Sequence, residues 1–93
     1  MSNKTKLVVK AMIKDYTGKL KPQDNLPIEY AETFEFSVYK GNFLKDVFNV
    51  NDMFDALQKA AEIIKKEDIS ISSCSMPNDF LYEVENKLEA NIN

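Results

Sequence analysis

The chain has 93 residues, which suits one small domain and is too short for two. It contains no histidine, tryptophan or arginine, its 12 basic residues are all lysine, and it has a single cysteine. Without histidine, the chain lacks the usual general base at neutral pH, and with one cysteine it has neither the ligands of a zinc site nor a partner for an internal disulfide. Without arginine, it has no guanidinium for bidentate recognition of phosphate. The net charge of −3 combines a basic first half with an acidic second half.

The first predicted element is a β-strand over residues 5–14, where side chains alternate with period two. A turn at 15–18 and a polar loop at 19–27, which contains Pro22 and Pro27, follow it. The predicted strand separates a core side from a lysine-rich side. The core side carries Leu7, Val9, Ala11 and Ile13, and the lysine-rich side carries Lys6, Val8, Lys10, Met12 and Lys14.

A second strand is predicted over residues 29–40, with Tyr30, Phe34, Phe36 and Val38 on one face. Its opposite face carries Glu35 and Tyr39, and Glu35 is expected to lie across the ladder from Lys10. The apolar residues of 43–48 have helical spacing, which predicts a short helical turn there.

The main helix is predicted to begin at Asn49 as its N-cap, with Phe48 and Met53 forming a hydrophobic staple. A short third strand follows at 69–75, and a second helix opens at Pro77. The predicted apolar stripe of the first helix contains Met53, Phe54, Leu57, Ala60, Ala61 and Ile64, and that of the second contains Phe80, Leu81, Val84 and Leu88.

These elements predict an α+β fold with the order β-β-α-β-α. We expect a small three-stranded mixed sheet, ordered 2-1-3 or 1-2-3, with its first two strands antiparallel and its second and third parallel through a helical crossover. Both helices are expected to pack on one face. The whole chain, residues 1–93, is expected to form one globular domain with frayed termini at 1–4 and 90–93.

No motif for catalysis or for a cofactor is present. The chain has two glycines and neither a phosphate-binding loop nor a calcium loop. Cys74 has no histidine to activate it, and the paired carboxylates are typical of solvated helix surfaces. We therefore expect a non-enzymatic protein without cofactor or metal. No stretch is long and apolar enough to span a bilayer, and no targeting segment is visible, so a cytoplasmic location is expected.

The expected function is protein binding through the sheet face that the helices leave uncovered. The partner would be a larger protein, or a second copy of the chain that associates through a sheet edge or through the open sheet face. The lysine- and asparagine-rich composition suggests a phage or mobile-element accessory protein. Loop 16–28 is either functional or a structural plug of the core. The alternative function is nucleic-acid binding by the lysine-rich face. The predicted partner-binding residues are Lys10, Met12, Lys19, Lys21, Tyr39 and Phe43.

Overall fold

The computed structural model describes residues 4–90, and it confirms the α+β class. Two helices accompany a sheet of five strands rather than the three predicted. Two 3₁₀ turns, Ile28–Tyr30 and Ile71–Ser73, lie in the connections. The elements in chain order are β1 Thr5–Lys14, β2 Leu20–Pro22, β3 Thr33–Lys40, β4 Phe43–Val50, α1 Met53–Glu67, β5 Cys74–Ser75 and α2 Asn78–Ala90.

Strand β1 is the centre of the sheet. It pairs antiparallel with β3 from Thr5↔Lys40 to Met12↔Thr33, and this register places Lys10 opposite Glu35 as predicted. On its other edge β1 pairs antiparallel with the three residues of β2 and in parallel with β5, through Leu7↔Cys74 and Val8↔Ser75. The sheet order is therefore β2-β1-β3-β4, with β5 beside β1.

The predicted helical turn at 43–48 is wrong, because these residues form strand β4. Gly41, with φ of 60°, and Asn42 make a two-residue turn that folds β4 back against β3. A β-bulge at Lys45 shifts the register, since Val38 pairs with Asp46 whereas Tyr39 pairs with Leu44. Because of the extra residue, Leu44 and Val47 point to the same face of the sheet although they are three positions apart instead of two. A spacing of three is also found on one face of a helix, which explains the wrong prediction.

The added strand also corrects the predicted strand directions. Strand β4 runs antiparallel to β3, so it runs in the same direction as β1 and β5. The helical crossover through α1 therefore joins β4 to β5. The third predicted strand corresponds to β5, which is parallel to β1 and not to β3. Its place beside β1 agrees with the order 2-1-3 of the predicted strands.

Helix α1 begins later than predicted. Its N-cap is Asp52, whose Oδ2 accepts a hydrogen bond from the Asp55 N–H at 3.0 Å, because Asn49 belongs to β4. The predicted Phe48–Met53 staple does not match this cap position. Phe54 does not join the buried stripe and is 70% exposed. The helix buries Ala56, Leu57, Ala60, Ala61 and Ile64.

The predicted strand at 69–75 shrinks to β5, because Ile71–Ser73 forms a 3₁₀ turn. Helix α2 starts one residue after Pro77, close to the prediction, and buries Phe80 and Val84. The Phe80 ring lies 5.4 Å from that of Phe34, centroid to centroid, and thereby joins α2 to β3.

Both helices cover the same face of the sheet, as predicted. Their buried side chains, apart from that of Ala61, belong to one hydrophobic cluster with Leu7, Val9 and Ala11 of β1 and Phe34, Phe36 and Val38 of β3. In strands these residues alternate with side chains that point to the opposite face. Neither α1 nor α2 lies on that opposite face.

The segment after β2 plugs this core. Leu26 and Ile28 are buried in it, and the Ile28 N–H donates a hydrogen bond to Asp79 Oδ2 at 2.9 Å. Leu20 of the same loop is exposed, and so is Tyr30, which was predicted to share a strand face with Phe34 and Phe36. The predicted fraying of 1–4 and 90–93 falls largely on residues outside the described range.

Candidate protein interface on the open sheet face

We call the sheet side opposite the helices the open face. The registers arrange its side chains in rows that cross β1, β3 and β4, roughly 7 Å apart along each strand. These rows are Lys6–Tyr39–Leu44, then Val8–Ser37–Val47, then Lys10–Glu35–Asn49, and finally Met12–Thr33.

An apolar cluster occupies the first two rows. Leu44 is 54% exposed and Val47 is 51% exposed, while Val8 and Tyr39 are half-buried beside them. Ser37 separates Val8 from Val47 and is itself buried, since small side chains lie beneath larger cross-strand neighbours. We call Val8, Tyr39, Leu44 and Val47 the apolar cluster.

Lysines border the apolar cluster along β1. The Lys6 Nζ lies 6.0 Å from the centroid of the Tyr39 ring, a cation–π geometry. Lys10 faces Glu35 across the ladder, but the ion pair found among residues 4–90 is Lys21–Asp15 and not this one. Strand β1 contributes three lysines and no acid, so this side of the sheet is basic.

Met12 does not present a contact surface as predicted. It lies on the open face but is only 8% exposed, and it stands outside the main core cluster. Its register partners are Thr33 on β3 and Pro22 on β2, so a strand flanks it on both sides. The expectation that Met12 is open to solvent is therefore wrong.

The other predicted residues lie in separate places. Tyr39 and Lys10 are on the open face, and Phe43, which is 80% exposed, begins β4 beside Leu44. Lys19 and Lys21 lie at the far end of β1, in the hairpin that leads into β2. The structure thus places Tyr39 and Phe43 at the same end of the sheet, but Phe43 pairs with Lys40 and points to the helix side. Lys10 lies two rows away from Tyr39 on the open face, and Lys19 and Lys21 lie beyond it in the hairpin.

Asp15 holds that hairpin together. Its Oδ1 accepts hydrogen bonds from the Thr17 hydroxyl and from the N–H groups of Thr17 and Lys19, and its Oδ2 lies 3.2 Å from Lys21 Nζ. These interactions, led by the Thr17 hydroxyl and the Lys19 N–H, lower the pKa of Asp15 from 3.8 to about 2. Lys21 therefore has a structural contact within the hairpin.

Leu44 and Val47 are the site residues that sequence reasoning missed. The bulge at Lys45 separates them by three positions, so they looked like part of a helical turn. The signal that could have identified them is Gly41-Asn42, because a two-residue turn after a strand is typical of a β-hairpin.

The described residues show no arrangement for nucleophilic or metal chemistry. No group of three or more potential metal-ligating side chains occurs within 4–90. Partial burial raises the pKa of the Cys74 thiol above its ordinary value, which disfavours the reactive thiolate. The thiol lies 3.6 Å from the Ser70 carbonyl oxygen, to which it donates.

A groove of about 540 Å³ runs along the β1 edge between β2 and β5. Asp24, Asp79 and Lys10 are the charged residues that line it. Asp79 accepts hydrogen bonds from the Ile28 and Phe80 N–H groups. These bonds give Asp79 a structural role that connects the loop to α2.

The described chain contains no helix that is both long and apolar enough to cross a membrane. No protein-family model, curated protein or solved structure matches the chain significantly.

Proposed function

We propose that this protein is a small non-enzymatic interaction module whose open face binds the surface of a larger protein. The observation that carries the proposal is the apolar cluster, which lies solvent-accessible on a sheet face that neither helix covers. Apolar side chains grouped on a surface and bordered by polar residues are typical of protein interfaces.

The charge of the open face indicates the kind of partner. Lys6, Lys10 and Lys14 border it. Glu35 lies in the row of Lys10, and the Glu32 carboxylate accepts a hydrogen bond from the Lys14 N–H at 3.0 Å, so lysines outnumber acids there. Two open faces stacked on each other would bring like charges together, which is unfavourable. A partner surface that combines acidic residues with apolar ones fits better.

The experiment that tests this proposal compares two tyrosines. Tyr39 belongs to the apolar cluster, whereas Tyr82 is exposed on α2, on the opposite side of the molecule. A photo-crosslinking residue placed at 39 should capture a specific protein from cells that express the chain, and the same residue at 82 should not. Tyr39→Ala and Lys10→Glu should each reduce co-purification of that protein, while Tyr82→Ala leaves it unchanged.

Circular dichroism and thermal unfolding must show that these variants keep the fold. Capture at position 82 but not at 39, or co-purification that survives both open-face substitutions, would contradict the proposal. The raised pKa of the Cys74 thiol disfavours its use as a nucleophile and is compatible with the non-enzymatic proposal.

Nucleic-acid binding is the second candidate, and the Lys6–Tyr39 contact favours it. An aromatic ring beside lysines can stack a base while the lysines neutralise phosphates. Fluorescence anisotropy with a labelled single-stranded oligonucleotide tests it, since true binding should weaken steeply with salt and disappear in Lys6→Gln/Lys10→Gln. No binding at low salt would reject this candidate.

The proposal also places the protein in the cytoplasm, where a lone thiol such as Cys74 stays reduced. The lysine- and asparagine-rich composition without arginine fits an accessory protein of a phage or mobile element. Isolation of the native protein with its partner tests both statements.

A further inference from the structure

Within residues 4–90, strand β4 forms a long edge of the sheet that pairs with no further strand. The strand order ends at β4, and the edge extends over the eight residues Phe43–Val50. The opposite end of the sheet is the three-residue strand β2, which contains Pro22. Short strands, prolines, lysines and bulges protect an edge against further pairing. Strand β4 contains no proline, and its one lysine lies at the bulge, so the stretch 46–50 has none of these protections.

The ladder fixes which β4 peptide groups point to this edge. The hydrogen bond from the Asp15 N–H to the Lys19 carbonyl shows that odd-numbered residues of β1 direct their peptide groups toward β2. Even-numbered residues of β1 therefore bond to odd-numbered residues of β3, which leaves the even-numbered residues of β3 to bond to β4. Their partners Phe48 and Val50 consequently direct their peptide groups toward β3. Val47 and Asn49 therefore direct theirs to the free edge.

Exposed aromatic side chains lie at both ends of this strand. Phe43, at its start, is 80% exposed, and Phe54, in the first turn of α1 just after its end, is 70% exposed. Antiparallel pairing with a second copy of the same strand brings the start of one strand to the end of the other. A two-fold axis at Phe48 sets Val47 beside Asn49 of the second copy and Phe43 toward Met53 and Phe54 of the second copy.

We propose that two copies of this chain associate antiparallel through their β4 edges into one continuous sheet. This proposal goes beyond the function of the open face, because it uses the β4 edge. Leu44 and Val47 lie where this edge meets the open face, and Val8 and Tyr39 stay free in both copies.

Charge favours this arrangement over stacking of the open faces. Strand β4 carries one lysine and one aspartate, Lys45 and Asp46, and therefore has no net charge. With the axis at Phe48, neither residue faces its counterpart in the second copy. Stacked open faces would instead oppose Lys6, Lys10 and Lys14 to themselves.

The buried area predicts a weak dimer. The exposed parts of Phe43, Leu44, Val47 and Phe54 amount to roughly 450 Å² per copy, because large apolar side chains present about 150–250 Å² each. With the strand edges added, the pair approaches the low end of specific interfaces, about 1,200 Å². We expect dissociation in the micromolar range.

Sedimentation velocity on the full chain over ~5–500 μM tests the proposal. Wild-type protein should shift from monomer toward dimer, and Phe43→Lys and Phe54→Lys should each weaken the dimer by about tenfold or more, as expected for aromatic anchors. Tyr82→Lys, which changes an exposed aromatic residue of α2, should leave it unchanged. The double variant Phe43→Lys/Phe54→Glu should recover association that weakens with salt.

A hydrogen-exchange measurement on wild-type protein avoids dependence on folded variants. The Val47 and Asn49 amides should exchange more slowly at high protein concentration than at low. The proposal is overturned if the protein stays monomeric over the whole concentration range, or if the exchange rates of these two amides do not depend on protein concentration. It is also overturned if Lys6→Glu/Lys10→Glu abolishes the dimer and Phe43→Lys does not. The last variant also distinguishes this interface from the open face, because both lysines lie two strands away from β4.

Discussion

Asp15 shows how one side chain can hold a loop in place by local hydrogen bonds. Its pKa of about 2 lies below the ordinary 3.8 because the Thr17 hydroxyl and the Lys19 N–H favour the charged form. A carboxylate whose pKa is lower in the folded state adds stability above the unfolded pKa. That contribution is lost as the pH falls from about 4 to about 2.

A carbon-detected NMR titration checks this assignment. The Asp15 carboxyl should titrate with a midpoint near pH 2, and Thr17→Ala should move the midpoint toward 3.8. A midpoint for Asp15 near 3.8 in the wild-type protein would contradict the hydrogen bonding described.

Cys74 is a second residue whose surroundings decide its chemistry. Partial burial raises its pKa above the ordinary 9.0, so the thiolate is scarcer than in an exposed cysteine. We expect reaction with a disulfide reagent at pH 8 to be slower in the folded protein than in urea, and to accelerate as the pH rises. Equal rates in the two states would show that the thiol is neither shielded nor shifted.

Among the single elements, helix α1 begins at a different residue in the structure than in the sequence prediction. Asp52 caps the helix through the Asp55 N–H, so Asp52→Ala should lower the free energy of unfolding by about 0.5–2 kcal/mol in urea denaturation. Asn49, the cap expected from sequence, is an exposed residue of β4. Asn49→Ala should therefore cost less, and a larger loss for Asn49→Ala would contradict the assigned cap.

The elements that follow one uninterrupted period could be predicted from sequence. The alternation of β1 and β3 identified Leu7, Val9, Phe34 and Phe36 as core residues, and Pro77 indicated the start of α2 to within one residue. Strand β4 could not be identified in this way, because its bulge at Lys45 breaks the alternation. The partly buried residues of β4, Phe48 and Val50, can be identified only from their pairing with β3.

The candidate site was predictable to a similar extent. Tyr39 and Lys10 lie on the open face because strand alternation alone decides their side. Met12 shares that alternation, but its burial depends on β2, whose pairing beside Met12 the sequence does not indicate. Alternation predicts the face on which a residue lies, whereas exposure depends on neighbours that are distant in sequence.

At the scale of the whole molecule, an aromatic contact connects the helical layer to the sheet. The fully buried Phe80 of α2 contacts Phe34 and Phe36 of β3, with ring centroids 5.4 and 6.4 Å apart. Phe80→Ala should lower the free energy of unfolding by about 3–5 kcal/mol, a large fraction of the stability of a small domain. Phe54→Ala is the matched control, because its exposed ring should contribute less than about 0.5 kcal/mol to the monomer.

The two sides of the molecule also differ in charge. Strand β1 brings three lysines to the sheet side, while α2 carries four acidic residues and one lysine on the helical side. This separation orients an approaching charged partner, and its effect on association rates should decrease as salt increases.

Both helices shelter one face of the sheet and leave the apolar cluster of the other face in contact with water. Solvent paramagnetic relaxation of valine and leucine methyl groups, recorded at low protein concentration, measures this exposure. The methyl groups of Leu44 and Val47 should relax strongly, and those of Leu7, Val9 and Val84 weakly. Leu44 and Val47 methyl groups as protected as that of Leu7 would contradict it.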